Sequence, residues 1–297
     1  MKRRTFVKLS AAAGLASCIP LSCMPAEQRP KYKMGFQLFS VRDAMEEDPV
    51  ATIKALKEMG YQDFEHFGFD AEKGTYYGYP AADFKAILDD LELGISSGHY
   101  GFTDFLPKPQ DDLLRFTEKA ITGAKTMGSK YIVWPWTAPE YRTVSGFART
   151  AELLNLIGPM VKDAGLGLAY HNHGFDFDDM AGINGWEIVT KRTDPDLVKL
   201  QLDLYWVSHS SKLSGKEWIE QDPGRYVMWH IKDMHKVSRD YTELGNGSID
   251  YKKILPELDQ SGLEYYYVEQ GGNYTHSSME SAQFSADHLK KELQKYL

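Results

Sequence analysis

From residue 34 onward, short apolar runs alternate with longer segments whose apolar positions recur at helical spacing. The short runs predict strands at 34–41, 64–67, 95–100, 131–136, 166–171, 198–204, 227–232 and 265–269. The segments between them predict helices at 49–59, 81–93, 111–127, 145–164, 183–193, 215–220, 251–260 and 278–296. Helix ends carry the expected polarity. Asp111-Asp112 open one helix and Gly128 closes it, which suits the backbone dipole at one end and a left-handed cap at the other.

Eight strands strictly alternating with eight helical stretches imply a parallel sheet, and eight such units imply a closed (β/α)8 TIM barrel. The rival, an open doubly wound sheet, would carry a glycine-rich phosphate turn after its first strand. Here that position reads Phe39-Ser40-Val41-Arg42-Asp43. No linker divides residues 31–297, so one domain is expected there.

Residues 1–30 read as an address. Lys2-Arg3-Arg4-Thr5-Phe6-Val7-Lys8 resembles a twin-arginine export signal, and the apolar stretch that follows is too short to span a bilayer. Leu15-Ala16-Ser17-Cys18 resembles a bacterial lipobox, which makes Cys18 the site of a lipid anchor; cleavage near Pro25-Ala26 would instead release a soluble protein. Either way the expected location is outside the cytoplasm, in the periplasm or anchored to a membrane. Both cysteines of the chain, Cys18 and Cys23, fall in this segment, so the barrel has no disulfide and any metal in it is held by His, Asp and Glu. A net charge of −8 disfavours nucleic acid as a partner.

In such a barrel the chemistry sits at the C-terminal strand ends. Those ends present Arg42 (strand 1), Glu65 and His66 (2), His99 and Tyr100 (3), Trp134 and Trp136 (4), His171 and His173 (5), Asp203 (6), His230 and Lys232 (7), and Glu269 with Gln270 (8). Five of nine histidines lie in this set, which converges on one mouth. A carboxylate inside Leu202-Asp203-Leu204 or Val268-Glu269-Gln270 is costly to bury unless paired or bound to a cation. Two carboxylates with one or two histidines form a nest for one divalent ion, and mixed imidazole and carboxylate ligation suits Mn, Co, Zn or Fe better than Ca. Trp136 and Trp206 read as walls for a carbohydrate, and Trp229 as core.

The strand ends resemble those of the sugar phosphate isomerase/epimerase superfamily, the xylose-isomerase-like barrels. The markers are Tyr170-His171-Asn172-His173, Leu202-Asp203-Leu204-Tyr205-Trp206, His230-Ile231-Lys232-Asp233, Leu244-Gly245-Asn246-Gly247-Ser248-Ile249-Asp250 and Val268-Glu269. The resemblance implies a metal held by residues from strands 5 to 8. Asp203, His230 and Glu269 match three of the positions, and His171 stands where a Glu is usual. Trp206 stands where epimerases often have a His.

The resemblance also implies proton abstraction beside a sugar carbonyl with stabilisation of the enediolate. Only Glu269 remains of the family's glutamate pair. The broader isomerase or epimerase reading stands first, and β-elimination from a 3-keto-glycoside stands close behind it because it needs proton removal from one side only, with Lys232, His99 or His173 as the acid. Arg42, Glu65, Trp136 and Trp206 are the expected substrate contacts. A non-catalytic sugar-binding protein is the third reading.

Overall fold

A computed structural model describes residues 31–297. The expected export signal and the Cys18 anchor lie outside the described residues. Eight strands close a parallel barrel: β1 Gly35–Gln37, β2 Asp63–His66, β3 Gly94–His99, β4 Tyr131–Trp134, β5 Gly167–His171, β6 Val198–Asp203, β7 Met228–Ile231 and β8 Tyr265–Val268. Each pairs with its sequence neighbour, and β1 closes on β8 through Phe36 opposite Val268.

The outer face of the barrel is covered by helices whose apolar stripes follow the helical repeat. In α4, Gln110–Met127, the buried positions include Leu113, Thr117, Ala120, Ala124 and Met127. The helix stops at Gly128, whose φ of +73° supplies the left-handed cap. A second, smaller apolar cluster lies inside the barrel: Tyr131, Val133, Ala169, Val227, Met228 and Tyr267. Strand alternation then aims His171, Asp203, His230 and Glu269 inward one layer above it.

One irregularity shapes the interior. Asp63 and Glu65 are two apart on β2 and share the inward face. Their partners Ser96 and Ser97 are adjacent on β3 and could not both face inward in a regular strand. The register shifts between Phe64 and Glu65, so that Phe64 pairs with Ile95 and Glu65 with Ser97. This bulge lets Ser96 Oγ bond Asp63, and Ser97 Oγ donate to Glu65 at 2.6 Å.

Several expected boundaries move, each for a local reason. Strand 1 ends at Gln37 rather than Val41, because Gln37 Oε1 accepts from the Phe39 N–H and turns the chain into a 3-10 segment, Leu38–Val41. Arg42 therefore opens α1, Arg42–Glu47, instead of ending a strand. Strand 4 stops at Trp134, since Pro135 has no N–H for the ladder. Strand 6 stops at Asp203, whose side chain accepts from the Trp206 N–H and starts α7, Leu204–Ser210. The helix expected over 251–260 is α-helical only for Tyr251–Ile254 before Pro256 tightens it into a 3-10 turn. The last helix is α-helical over Ser278–His288 and then loosens into a π turn, Leu289–Leu293. Two small antiparallel ribbons were not legible as strands: Phe69–Asp70 with Thr75–Tyr76 and Tyr79–Pro80, and Asp233–Met234 with Tyr241–Thr242. Among the described residues no helix is long and apolar enough to cross a membrane.

Asp63 lies at the barrel floor, far from the strand ends. Burial pushes its carboxyl up to about 6, against the hydrogen bonds from Ser96 that lower it. A folded pKa above the unfolded one means that the protonated form favours folding. That contribution is complete below about pH 4 and is lost as pH rises through 6, and the shift from 3.8 to about 6 is worth about 3 kcal/mol. Asp63→Asn should therefore gain stability relative to the parent by about that amount between pH 4 and pH 8 in urea unfolding. A stability difference that is flat with pH would show that burial does not shift the Asp63 carboxyl away from its unfolded value.

Candidate active site

At the C-terminal mouth, His171, Asp203, His230 and Glu269 each place one ligand atom within 4.8 Å of the others, and all four residues are buried. The neighbouring strands β5, β6, β7 and β8 supply them, so the closure of the barrel itself brings them together. Asp203 Oδ2, His230 Nδ1 and Glu269 Oε2 are buried without a well-directed hydrogen bond among the described residues, His230 Nδ1 and Glu269 Oε2 lying against each other, and His171 turns Nε2 toward Asp203 Oδ2 at 3.7 Å. Buried polar atoms are rarely left so, and a cluster of them in one place is the mark of a ligand site. Lys232 Nζ stands 2.7 Å from Asp203 Oδ2 and 2.7 Å from Glu269 Oε2, which is ion-pair distance but off the hydrogen-bond direction. The donor set fits a divalent ion of the Mn, Fe, Co or Zn kind.

Beneath this cluster sits Glu65. Its Oε2 accepts from His230 Nε2 at 2.6 Å and from Gln37 Nε2 at 2.7 Å. Its Oε1 accepts from Ser97 Oγ at 2.6 Å and Gln201 Nε2 at 2.7 Å. His99 Nε2 lies 3.0 Å from Oε2 and 2.9 Å from Gln201 Oε1. With Nε2 of His230 committed to Glu65, its Nδ1 is turned to Glu269 and to the ligand cluster.

The electrostatics follow from burial and pairing. Burial alone would push the Glu65 carboxyl up, but His99 and His230 outweigh it and hold it well below the usual carboxylate range. Burial pushes His230 down, yet Glu269 and Glu65 together hold it up at about 9. At Asp203 burial wins and the carboxyl stays above its ordinary value, although Lys232 opposes this. Burial, then neighbouring cations and imidazoles, drives His171 and His173 well below the ordinary histidine value, so both rings are neutral.

A family model of the xylose isomerase-like TIM barrel matches residues 53–292. The chain belongs to that family. An inosose dehydratase of Clostridium perfringens is 26% identical over 255 residues, covering 72% of this chain and 80% of the relative. A sugar phosphate isomerase/epimerase from Parabacteroides distasonis superposes with a TM-score of 0.77 at 27% identity, over 93% of this chain and 99% of the other. The IolI protein, solved with a bound zinc atom, shares the fold with a TM-score of 0.68 at 17% identity, over 89% of this chain and 99% of the other.

Within this xylose isomerase-like barrel the sequence-derived candidates separate into three groups. His171, Asp203, His230 and Glu269 converge as expected, with Lys232 against them. Glu65, expected at the substrate, is instead held below, whereas His99 is 13% exposed and lies with His171 and His230 in a second group that could hold an ion. Glu65 is fully enclosed by side-chain partners, and both His99 nitrogens face partners, Gln37 at 3.4 Å on one side and Gln201 with Glu65 on the other. The rest stand at the rim. His173 is half-buried with a free Nδ1, Trp206 lies 5.9 Å from it on α7, and Trp136 is 38% exposed. Arg42 bonds Tyr274 Oη at 3.2 Å and lies over the Phe39 ring. Trp229 is core, as expected.

Two positioning residues escaped the sequence reading. Asn172 Oδ1 accepts from the Asp203 N–H at 2.8 Å and ties the end of β5 to that of β6. Asp233 takes four backbone N–H groups, from Met234, Gly245, Gly247 and Ile249, at 2.8 to 3.1 Å. That explains the Leu244–Asp250 motif: a Cβ on Gly247 would lie 2.0 Å from Asp233 Oδ1. Tyr251 Oη meanwhile pins the Lys232 backbone. The signal for both was the marker motifs, whose role is to hold the loop rather than to react.

Glu65→Gln should weaken metal affinity by roughly 10- to 100-fold, the usual cost of losing a partner that orients a ligand imidazole. The new amide would also set a donor against the donors that now surround the carboxylate. Competition with a chelator measures the affinity, and a thermal melt checks the fold. Unchanged metal affinity in a folded variant would mean that Glu65 does not orient His230.

Proposed function

We propose that this protein is a divalent-metal-dependent enzyme that removes the proton beside a sugar carbonyl. The observation that carries the reading is the convergence of four buried ligand residues, two imidazoles and two carboxylates, from four successive strand ends within 4.8 Å of one another. His171, Asp203, His230 and Glu269 would hold the ion. When bound, it supplies a Lewis acid that draws electron density from the substrate carbonyl.

The protein's own groups then divide the work. Lys232 and His230 keep Glu269 ionised, against the burial that opposes it, so its carboxylate is ready to take a proton. Lys232 is held between Asp203 and Glu269 and stays charged, which makes it a fixed positive charge rather than a proton donor. His99 is tied on both nitrogens. His173, half-buried beside His171, is neutral and can hydrogen-bond a substrate oxygen but does not carry a proton to it.

This arrangement favours elimination over two-base epimerisation. Glu65 is sealed in its network and Asp203 caps α7, which leaves Glu269 as the one carboxylate of the cluster free to act as base. Glu269 takes the proton next to the carbonyl and, as the carboxylic acid so formed, returns it to the oxygen that departs from the β carbon, while the neutral His173 ring hydrogen-bonds that oxygen. Likeness to an inosose dehydratase supports the same chemistry. The export motif in residues 1–8 supports an extracytoplasmic, unphosphorylated keto-glycoside as substrate, with isomerisation or epimerisation of a free keto-sugar as the second reading.

In metal-supplemented assays with 3-keto-glycosides, Glu269→Gln should lower kcat by roughly 10²- to 10⁴-fold. Exchange of the proton beside the carbonyl with deuterated solvent should disappear with it. Turnover unaffected by Glu269→Gln would end the proton-transfer reading. His173→Ala should retain solvent exchange but lose release of the aglycone; a changed sugar stereocentre without release would select epimerisation instead.

A further inference from the structure

A row of stacked side chains leads outward from the ligand cluster on the β4–β5 side of the mouth. The His173 ring lies 4.9 Å from that of His171, and Phe175 stacks nearly parallel on His173 at 5.3 Å and 7°. Arg142 Cζ sits 3.7 Å from the centroid of Phe175 and 5.2 Å from that of Trp136. Trp136 is one of the few large apolar side chains left exposed. None of these contacts is needed to close the barrel, and the row reaches well beyond the four ligands.

Arg142 is the unexplained member. Its Nε donates to the Thr137 carbonyl at 3.0 Å. Among the described residues its terminal amino groups have no hydrogen-bond partner, and no carboxylate lies within 4 Å of its nitrogens. The side chain is half-buried, so a fixed guanidinium with free N–H donors lies over aromatic faces. Its support is rigid. Ala138 N–H bonds Thr103 Oγ1 at 3.0 Å, Thr143 caps α5, Val144–Asp163, and a Cβ on Gly146 would lie 1.9 Å from the Tyr141 carbonyl oxygen. Across from it, Asp176 holds the Phe175 turn by accepting from the His173 N–H and from Tyr170 Oη, each at 2.6 Å.

We propose that Trp136, Arg142 and Phe175 form a subsite for a second, neutral sugar ring, so that the substrate is a glycoside of at least two rings. The inference rests on the function proposed above and names its substrate class. Aromatic faces take the C–H face of a pyranose, and a forked guanidinium suits a pair of neighbouring hydroxyls. The carboxylates of Asp176, Asp178 and Glu140 all face Arg142, which disfavours an anionic ring there.

Methyl β-cellobioside and methyl β-glucoside are both locked at C1 and carry no carbonyl, so neither is turned over and binding is read alone. With the metal-loaded full chain, calorimetry should show methyl β-cellobioside binding at least tenfold tighter than methyl β-glucoside. Arg142→Met should lower the cellobioside affinity about tenfold and leave the monosaccharide unchanged, a loss matching a cation–π and hydrogen-bond contact. Arg142→Lys should restore part of it. Trp136→Ala, on an exposed side chain, tests the shelf independently of Arg142 and should act on the cellobioside alone. Equal binding of the two sugars by the parent protein, or an equal loss for both in the variants, would overturn the subsite while leaving the metal-dependent reading standing. Failure to bind metal, or to bind either sugar, would overturn the proposed function and the subsite with it.

Discussion

The mouth of this barrel depends on one buried carboxylate. Glu65 is enclosed on β2 and gathers donors from β1, β3, β6 and β7: Gln37, Ser97, Gln201 and His230. Burying a charge without partners costs several kcal/mol, so each of these donors is held in place as much as it holds. The bulge at Phe64/Glu65 is part of the same constraint, because it brings Ser97 to Glu65 while Ser96 serves Asp63. The result that matters for chemistry is at His230. With Nε2 bound to Glu65, the other nitrogen is fixed on the ligand cluster, the arrangement by which a carboxylate orients a metal-binding imidazole.

Charge balance links this floor to the mouth. Glu65, Asp203 and Glu269 would repel one another in a dry interior. The structure offsets them with Lys232 between Asp203 and Glu269, and with His230 between Glu65 and Glu269. A cation held by the proposed ligands His171, Asp203, His230 and Glu269 would add to the same balance. Asn172, Asp233 and Tyr251 never reach that point, yet they fix the backbone at Asp203 and Lys232 to which the charges are attached.

Much of this was legible along the chain. The alternation of apolar runs and amphipathic segments gave eight strands in the right order, because parallel strands buried on both faces read as continuous apolar runs. Asp203, His230 and Glu269 stood out as polar residues inside such runs. The boundaries were less legible, because caps and turns decide them. Gln37 and Asp203 each end a strand by accepting a backbone N–H, and no apolar pattern reports that. The small ribbons at 69–80 and 233–242 have strands of two residues, too short for a period to register.

What the sequence determined by itself is therefore the eight-unit barrel, which follows from strand periodicity, and the need of Asp203 and Glu269 for partners, which follows from the cost of burying charge; the family resemblance added His171 and His230 as candidate ligands. Tertiary structure decided the roles of the remaining polar residues. Glu65, His99 and His173 all sit at strand ends and look equivalent in sequence. Strand register sends Glu65 below the cluster, where every donor and acceptor is taken, sets His99 beside His171 and His230, and leaves His173 half-buried toward the rim. Arg142, on a loop with no periodic signal, became visible only when folding set it over Phe175 and Trp136. Position along a strand is written in the chain, but depth within a barrel depends on how eight strands are staggered against one another, and only the closed sheet fixes that.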